Sequence, residues 1–279
     1  MSTHSDNLGL SMAAMPLLRD LVHERTGLYF AADRFDMLAD RLAPLVLERG
    51  FDSFLDYYYL LKYDACANVE WAKLIDALVV GETYFWREAD QIQAVVSEVV
   101  PSLVRARPAD PVRLWVVPCA TGEEPLTIAM MLDHAGWFER ARFEIHASDA
   151  SQAAIERAKT GRYRERAFRS LPPELRDRYF RQDRDAWVVD PRLHRRVTSW
   201  SVVNLMDNEM PFPAQVPIVF CRNVFIYFSE PGVRRVVERF ATAMSTPGYL
   251  CVGASESLLK VTTRFELQEI AGAFVYVKQ

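Results

Sequence analysis

Apolar residues recur at helical spacing over the first eighty positions. Leu17, Leu18, Leu21 and Val22 form one stripe, Phe35, Leu38, Leu42, Leu45 and Val46 a second, and Trp71, Leu74, Ile75 and Leu78 a third. Between them, Asp52 or Ser53 offers a cap to a short helix carrying Phe54, Tyr57 and Leu61. Such stripes are core faces, so residues 1–80 read as an all-α N-terminal domain, with Gly81 ending the helical run. A long helix is expected from about Glu88 to Arg105, broken by Arg107-Pro108-Ala109-Asp110-Pro111.

Beyond that break the pattern changes to short apolar runs alternating with helical ones. Strands are expected at Val112 to Val117, Phe143 to Ala147, Ile218 to Cys221 and Tyr249 to Val252, with helices at Pro125 to Asp133, Ser151 to Lys159 and Val233 to Met244. Phe265–Ile270 and Ala273–Val277 meet at Ala271-Gly272 and read as a hairpin. This alternation predicts an α/β domain over residues 81–279, with a doubly wound, mostly parallel sheet whose last strand runs antiparallel. Residues 162–200 interrupt it; Trp187-Val188-Val189 and Val197 to Trp200 suggest a small β insert.

Composition narrows the class. Half of the 279 residues are hydrophobic and a quarter charged, as in an ordinary globular chain. No apolar run approaches the ~18 residues of a spanning helix, and the polar start lacks a secretory pattern, so the chain reads as cytoplasmic, with no membrane insertion. Cys66, Cys119, Cys221 and Cys251 have no metal-ligand spacing and read as reduced thiols. The net charge of −4 is unevenly spread. Residues 1–76 hold seven Lys/Arg against twelve Asp/Glu, whereas residues 162–200 hold eleven Arg, no Lys, and six Asp/Glu. That basic stretch reads either as a site for an acidic partner or as a solvated surface with local ion pairs.

Three segments carry candidate chemistry: Gly81-Glu82-Thr83-Tyr84-Phe85-Trp86-Arg87, Cys119-Ala120-Thr121-Gly122-Glu123-Glu124-Pro125, and Phe220-Cys221-Arg222-Asn223-Val224-Phe225-Ile226-Tyr227-Phe228. Each alone is an unremarkable loop. The second follows the first strand of the sheet, where doubly wound folds bind ligands. It has one glycine where a dinucleotide fingerprint has three, so it is not built to bring backbone against a pyrophosphate. Asp149, ending the second strand 27 positions after Gly122, can take both ribose hydroxyls or cap the following helix.

In this order the three segments resemble the CheR family, along nearly the whole chain. The resemblance implies an S-adenosylmethionine-dependent, Rossmann-like methyltransferase that esterifies glutamates on chemoreceptor cytoplasmic domains and releases S-adenosylhomocysteine. It assigns Gly81, Thr83, Arg87, Thr121, Gly122, Glu124, Arg222 and Asn223 to the cofactor, Asp149 to its ribose, and Asn204-Leu205 to its adenine. Arg87 and Tyr227 are placed at the methyl-transfer centre. A cofactor with an ammonium and a sulfonium instead of phosphates suits acidic side chains beside its loop. An asparagine such as Asn204 can read an adenine edge by paired hydrogen bonds while a leucine packs on its face. The family usually has asparagine where this chain has Gly81.

The resemblance also bears on the partner. Some members dock their receptor through a basic helix of the N-terminal domain; here Asp33-Arg34-Phe35-Asp36-Met37-Leu38-Ala39-Asp40-Arg41-Leu42-Ala43-Pro44 is mixed in charge. Members that bind a receptor tether peptide carry a glycine-containing loop in the β insert; Gln182-Asp183-Arg184-Asp185-Ala186-Trp187-Val188-Val189-Asp190-Pro191 has none. Tether-independent recognition by a monomer is therefore expected, with a receptor of an alternative chemosensory pathway. Two rival readings are a nucleic-acid methyltransferase, disfavoured by the net charge and by Cys221-Arg222-Asn223 after the fourth strand, and a cofactor-binding interaction module without catalysis.

Overall fold

The computed structural model describes residues 11–65, 67–208 and 211–279; the polar N-terminal start and Cys66 lie outside the described residues. Four helices, Met15–Thr26, Phe35–Glu48, Phe54–Tyr63 and Ala67–Leu78, open the chain. Their stripes meet in one core of Leu18, Val22, Leu38, Leu42, Phe54, Tyr57, Leu74 and Leu78. Ser53 caps the third helix by accepting the Leu55 N–H at 3.0 Å. The fourth helix stops at Leu78, so Gly81 is not its terminator, and Val79-Val80 lead out as non-helical chain.

The long helix expected from Glu88 is interrupted by a wider π turn, Val95–Val99, between Ala89–Ala94 and Val100–Ala106. Pro101 follows that turn and has no N–H for the carbonyl four residues back, which the wider winding accommodates.

The sheet contains β1 (Val112–Val116), β2 (Phe143–Asp149), β6 (Val197–Val202), β7 (Ile218–Phe220), β8 (Gly248–Cys251), β9 (Glu266–Ile270) and β10 (Ala273–Lys278), in the order β6-β2-β1-β7-β8-β10-β9. All neighbours are parallel except β10, antiparallel to both β8 and β9. Ala271 and Gly272 both have positive φ, 48° and 81°, as a two-residue hairpin turn requires. Both faces are covered: Leu114, Val116 and Phe220 pack into one cluster, Trp115, Val117 and Val219 into the other. Hence the strands read as continuous apolar runs. The chain leaves β1 toward β2 on one side and reaches β7 on the other, so the crevice at their carboxyl ends is the natural binding position.

The β insert is a separate antiparallel sheet of β3 (Arg162–Tyr163), β4 (Phe180–Asp183) and β5 (Ala186–Val189), ordered β3-β5-β4. Val197 to Trp200, expected within the insert, belongs instead to the main sheet as β6, with Asp149 opposite Val202. Insert and host strands share one periodicity, so pattern alone does not separate them; pairing with β2 does.

Candidate active site

β1 delivers the chain into Pro118 and the loop that begins the helix Glu123–His134. Gly122 sits at φ 98°, and a Cβ there would lie 2.9 Å from the Trp200 ring and 3.0 Å from the Tyr163 hydroxyl, so both backbone and space demand glycine. The same Tyr163 hydroxyl donates to the Thr121 carbonyl at 3.0 Å, and the Thr121 hydroxyl donates to Glu123 at 2.7 Å. Asp149 closes the loop from the end of β2: its oxygens accept the Ala120 N–H at 2.8 Å and the Ser151 N–H at 2.9 Å. Each oxygen keeps a further lone pair. The helix cap is Ser151, which accepts from Ala154, and not Asp149. Burial pushes the Asp149 carboxyl above the usual carboxylate range, against these backbone donors.

A cleft of about 240 Å³ lies beside Asp149, Val203, Asn204 and Leu205 and is roofed by Leu28 and Phe30, from the connection after the first helix, and by Leu78 at the end of the fourth. A smaller, polar recess adjoins it, lined by Thr83, Arg87, Glu124, Arg222 and Asn223. Pro118, Ala120 and Asn223 border both. One side is therefore shaped for an apolar, ring-sized group and the other for a small charged one.

The charged recess is held by Arg222, whose side chain is 1% exposed. Its Nη2 donates to the Arg87 carbonyl at 2.8 Å and lies 3.3 Å from Glu88 Oε2; Nη1 lies 3.1 Å from Glu124 Oε2. Burial pushes the guanidinium's pKa down, but Glu124 and Glu88 more than offset it, so Arg222 stays charged. Burial raises the Glu124 carboxyl despite the pull of Arg222. Glu124 Oε1 and Arg222 Nε are buried without a hydrogen-bond partner among the described residues, and Arg222 Nη1 has only its ion pair with Glu124. Orphaned acceptors and donors side by side mark a place for a ligand bearing both an ammonium and a carboxylate.

Two carboxylates not singled out in the sequence shape this recess. Glu88, at φ 48°, accepts Asn223 Nδ2 at 3.1 Å and the Ala254 N–H at 3.0 Å. Burial raises its pKa, but Arg222, Asn223 and Ala254 together bring it below the usual value. Glu256, 8% exposed, accepts the backbone N–H groups of Asn223 (2.8 Å), Phe225 (2.6 Å) and Gly253 (2.6 Å), and so sets the loop after β7. Their adjacency to Arg87 and to a strand end was the only sequence signal.

Arg87 reaches the recess with 27% of its side chain exposed, its Nη1 donating to the Glu82 carbonyl at 3.1 Å. Phe85 anchors that loop: fully buried, it stacks on Phe168 at 5.1 Å and meets Tyr163 and Phe180 edge-on. Tyr227 stands on the wall of the larger cleft, and its carbonyl accepts the Tyr29 N–H at 2.8 Å. Thus Arg87 borders the recess and Tyr227 the larger cleft, with Asn223 bordering both. Asn204 differs from the edge-reading expectation. Its Nδ2 donates to the Arg25 carbonyl at 2.7 Å and its Oδ1 accepts the Met206 N–H at 3.0 Å. The amide is committed to fixing the wall, and Leu205 lines the cleft beside it. A Cβ on Gly81 would meet nothing within 4 Å. Gly81→Asn is accordingly expected to fold normally and to bind S-adenosylhomocysteine about 3- to 10-fold more tightly, the value of one added hydrogen bond; calorimetric titration with unchanged affinity or a lower melting temperature contradicts this.

Sheet, loop and bipolar cleft define an S-adenosylmethionine-dependent methyltransferase of the doubly wound class. The chain belongs to the CheR family: "CheR methyltransferase, SAM binding domain" matches residues 81–274, and "CheR methyltransferase, all-alpha domain" matches residues 13–79. Chemotaxis protein methyltransferase 2 of Vibrio cholerae is 31% identical over 93% of this chain and 91% of its own length. The chemotaxis protein methyltransferase of Escherichia coli is 28% identical over 95% of this chain and 91% of its own. The probable biofilm formation methyltransferase WspC of Pseudomonas putida is 33% identical over 92% of this chain and 60% of its own. Among the described residues no helix is long and apolar enough to cross a membrane.

Proposed function

We propose that this protein methylates glutamate side chains on the cytoplasmic domain of a chemoreceptor, as a cytoplasmic monomer of two domains, residues 1–80 and 81–279. The observation that carries the reading is the unsatisfied Oε1 of Glu124 beside the unsatisfied Nε of Arg222, on two side chains already ion-paired at 3.1 Å, which fits the ammonium and carboxylate of the cofactor's methionine end. Asp149 would hold the ribose hydroxyls, and the Leu205 wall the adenine. Asn223 borders both halves, Thr83 lies on the recess and Thr121 on the cleft, and Gly122 sets the turn of the loop that carries Thr121. Asn204 supports that wall without reading the base.

When bound, the cofactor supplies an electrophilic methyl on a sulfonium. The chain's own residues need do little proton chemistry, because a glutamate with a pKa of ~4.3 is already an anion at neutral pH. What remains is alignment and removal of water. Arg87, partly exposed and held by the Glu82 carbonyl, orients the incoming carboxylate. Tyr227 closes the opposite side. An over-tight Arg87 pair would stabilise the ground state, since the charges cancel as the methyl moves; its 27% exposure keeps that pairing moderate. Receptor methylation is therefore expected to hold a constant rate between about pH 6 and pH 8, well above the substrate's own titration. A rate limb titrating near pH 7 would show that a general base operates.

We propose a receptor of an alternative chemosensory pathway, in keeping with a relative named for biofilm formation and not for chemotaxis. The β4–β5 hairpin turns through Arg184 at φ 59°, with no glycine, and Arg162 locks it to Asp183 at 2.6 Å. We propose recognition without a tether: calorimetry with a receptor C-terminal peptide should show no complex, and micromolar binding would refute this.

A further inference from the structure

Beside the cofactor loop, a second cleft of about 300 Å³ is walled by arginines from three elements. Arg157 comes from the helix Gln152–Thr160, Arg162 and Arg164 flank Tyr163 of β3, and Arg166 comes from the short turn Glu165–Phe168. Arg162 is tied to Asp183. Arg157, Arg164 and Arg166 are exposed and make no ion pair with a described residue. The acidic groups on the same walls are Asp185 and Glu123; Glu123 is buried, held by Thr121, and also feels the positive charges of Arg157 and Arg166. The cleft is continuous with the methyl-transfer site, because Thr83 also borders the charged recess and Gly81 and Thr121 the cleft beside Asp149.

Like charges gathered at the mouth of a site raise the local concentration of anions and steer them in. Guanidinium groups add forks that match carboxylates. Side chains three or four residues apart on a helix stand roughly 5–6 Å from each other. A helix whose glutamate enters beside Arg87 can present its next acidic side chains to the arginine cleft, which shares Thr83 with the recess. Asp185 on the wall disfavours a continuous phosphate backbone but leaves room for separate carboxylates.

Resting on the proposed glutamate methylation, we infer that Arg157, Arg164 and Arg166 form a docking groove for acidic residues flanking the methylated glutamate on a substrate helix. The groove lies on the catalytic domain and its insert, not on the N-terminal helices. It is bordered at one side by Asp185 in the turn of the β4–β5 hairpin.

The test needs no methyl transfer. A fluorescein-labelled synthetic helical peptide with glutamate every three to four residues is titrated by anisotropy against protein saturated with S-adenosylhomocysteine. Wild type is expected to bind, more weakly as salt rises. Arg164→Glu with Arg166→Glu is expected to weaken binding about tenfold or more while leaving S-adenosylhomocysteine affinity within about twofold, which shows the fold intact. Equal peptide affinity in variant and wild type, or no binding by wild type, overturns the groove; stronger displacement by an RNA oligonucleotide of equal charge overturns the occupant. If the groove binds the peptide but receptor glutamates are never methylated, the proposed function fails and the groove stands.

Discussion

Arg222→Met is expected to produce the largest single loss, in stability and in cofactor binding together. The side chain is 1% exposed and faces Glu88 and Glu124. Removing one partner from such a buried cluster costs about 3–5 kcal/mol, because the remaining charges have neither water nor a counter-ion. For a chain of this size that corresponds to a melting temperature lower by roughly 10 °C. Its Nη2 also holds the Arg87 carbonyl, so the reacting loop loosens with it. Affinity for S-adenosylhomocysteine should fall by about 100-fold, the value of a charge-assisted hydrogen-bond pair. Arg222→Lys keeps the charge but not the fork and should fall between. Differential scanning calorimetry and isothermal titration read both effects; a melting temperature and affinity close to wild type would show that Arg222 is not the anchor of the recess.

Asp149→Ala is expected to cut S-adenosylhomocysteine affinity by about 10- to 100-fold, with a smaller loss of stability. It removes the ribose acceptor and also leaves the Ala120 and Ser151 N–H groups without theirs. The pH dependence has a defined sign. Burial raises the Asp149 carboxyl in the unliganded fold. A carboxyl raised on folding costs stability while ionised, and that cost is relieved as pH falls through its folded-state value. Protonation meanwhile removes the acceptor that a ribose needs. Binding should therefore weaken on acidification through the raised range, while this group adds nothing to acid unfolding of the free protein. Affinity that rises on acidification, or an Asp149→Ala variant that binds as wild type does, would exclude the ribose role.

The parts of this molecule written locally were legible from the chain. The β1 run into Thr121-Gly122-Glu123-Glu124, the helical stripes through Leu42 and Leu74, and the Ala271-Gly272 turn each depend on neighbours in sequence. Val197 to Trp200 was misplaced because its partner, β2, lies about fifty residues earlier across an insertion with the same alternation. Glu256 was missed for a related reason: its carboxylate gains meaning only when β8 returns beside β7 and brings it under the N–H groups of Asn223 and Phe225. Asn204 had a family role attached, yet the Arg25 carbonyl from the first helix takes its amide, a contact spanning the two helical and sheet regions. Phe85, one of three successive aromatics, gave no hint that it would anchor the reacting loop to the insert.

The most direct test of the central claim is methyl transfer itself. The purified protein is incubated with S-adenosylmethionine carrying a radiolabelled methyl and with purified receptor cytoplasmic fragments, and the protein-bound label is treated with mild base. A glutamate methyl ester releases its label as methanol, and Arg87→Ala should abolish the incorporation while leaving the fold intact. Label that is stable to base, or no transfer to any receptor fragment by a protein that binds S-adenosylhomocysteine, would contradict glutamate methylation and favour a cofactor-binding interaction module.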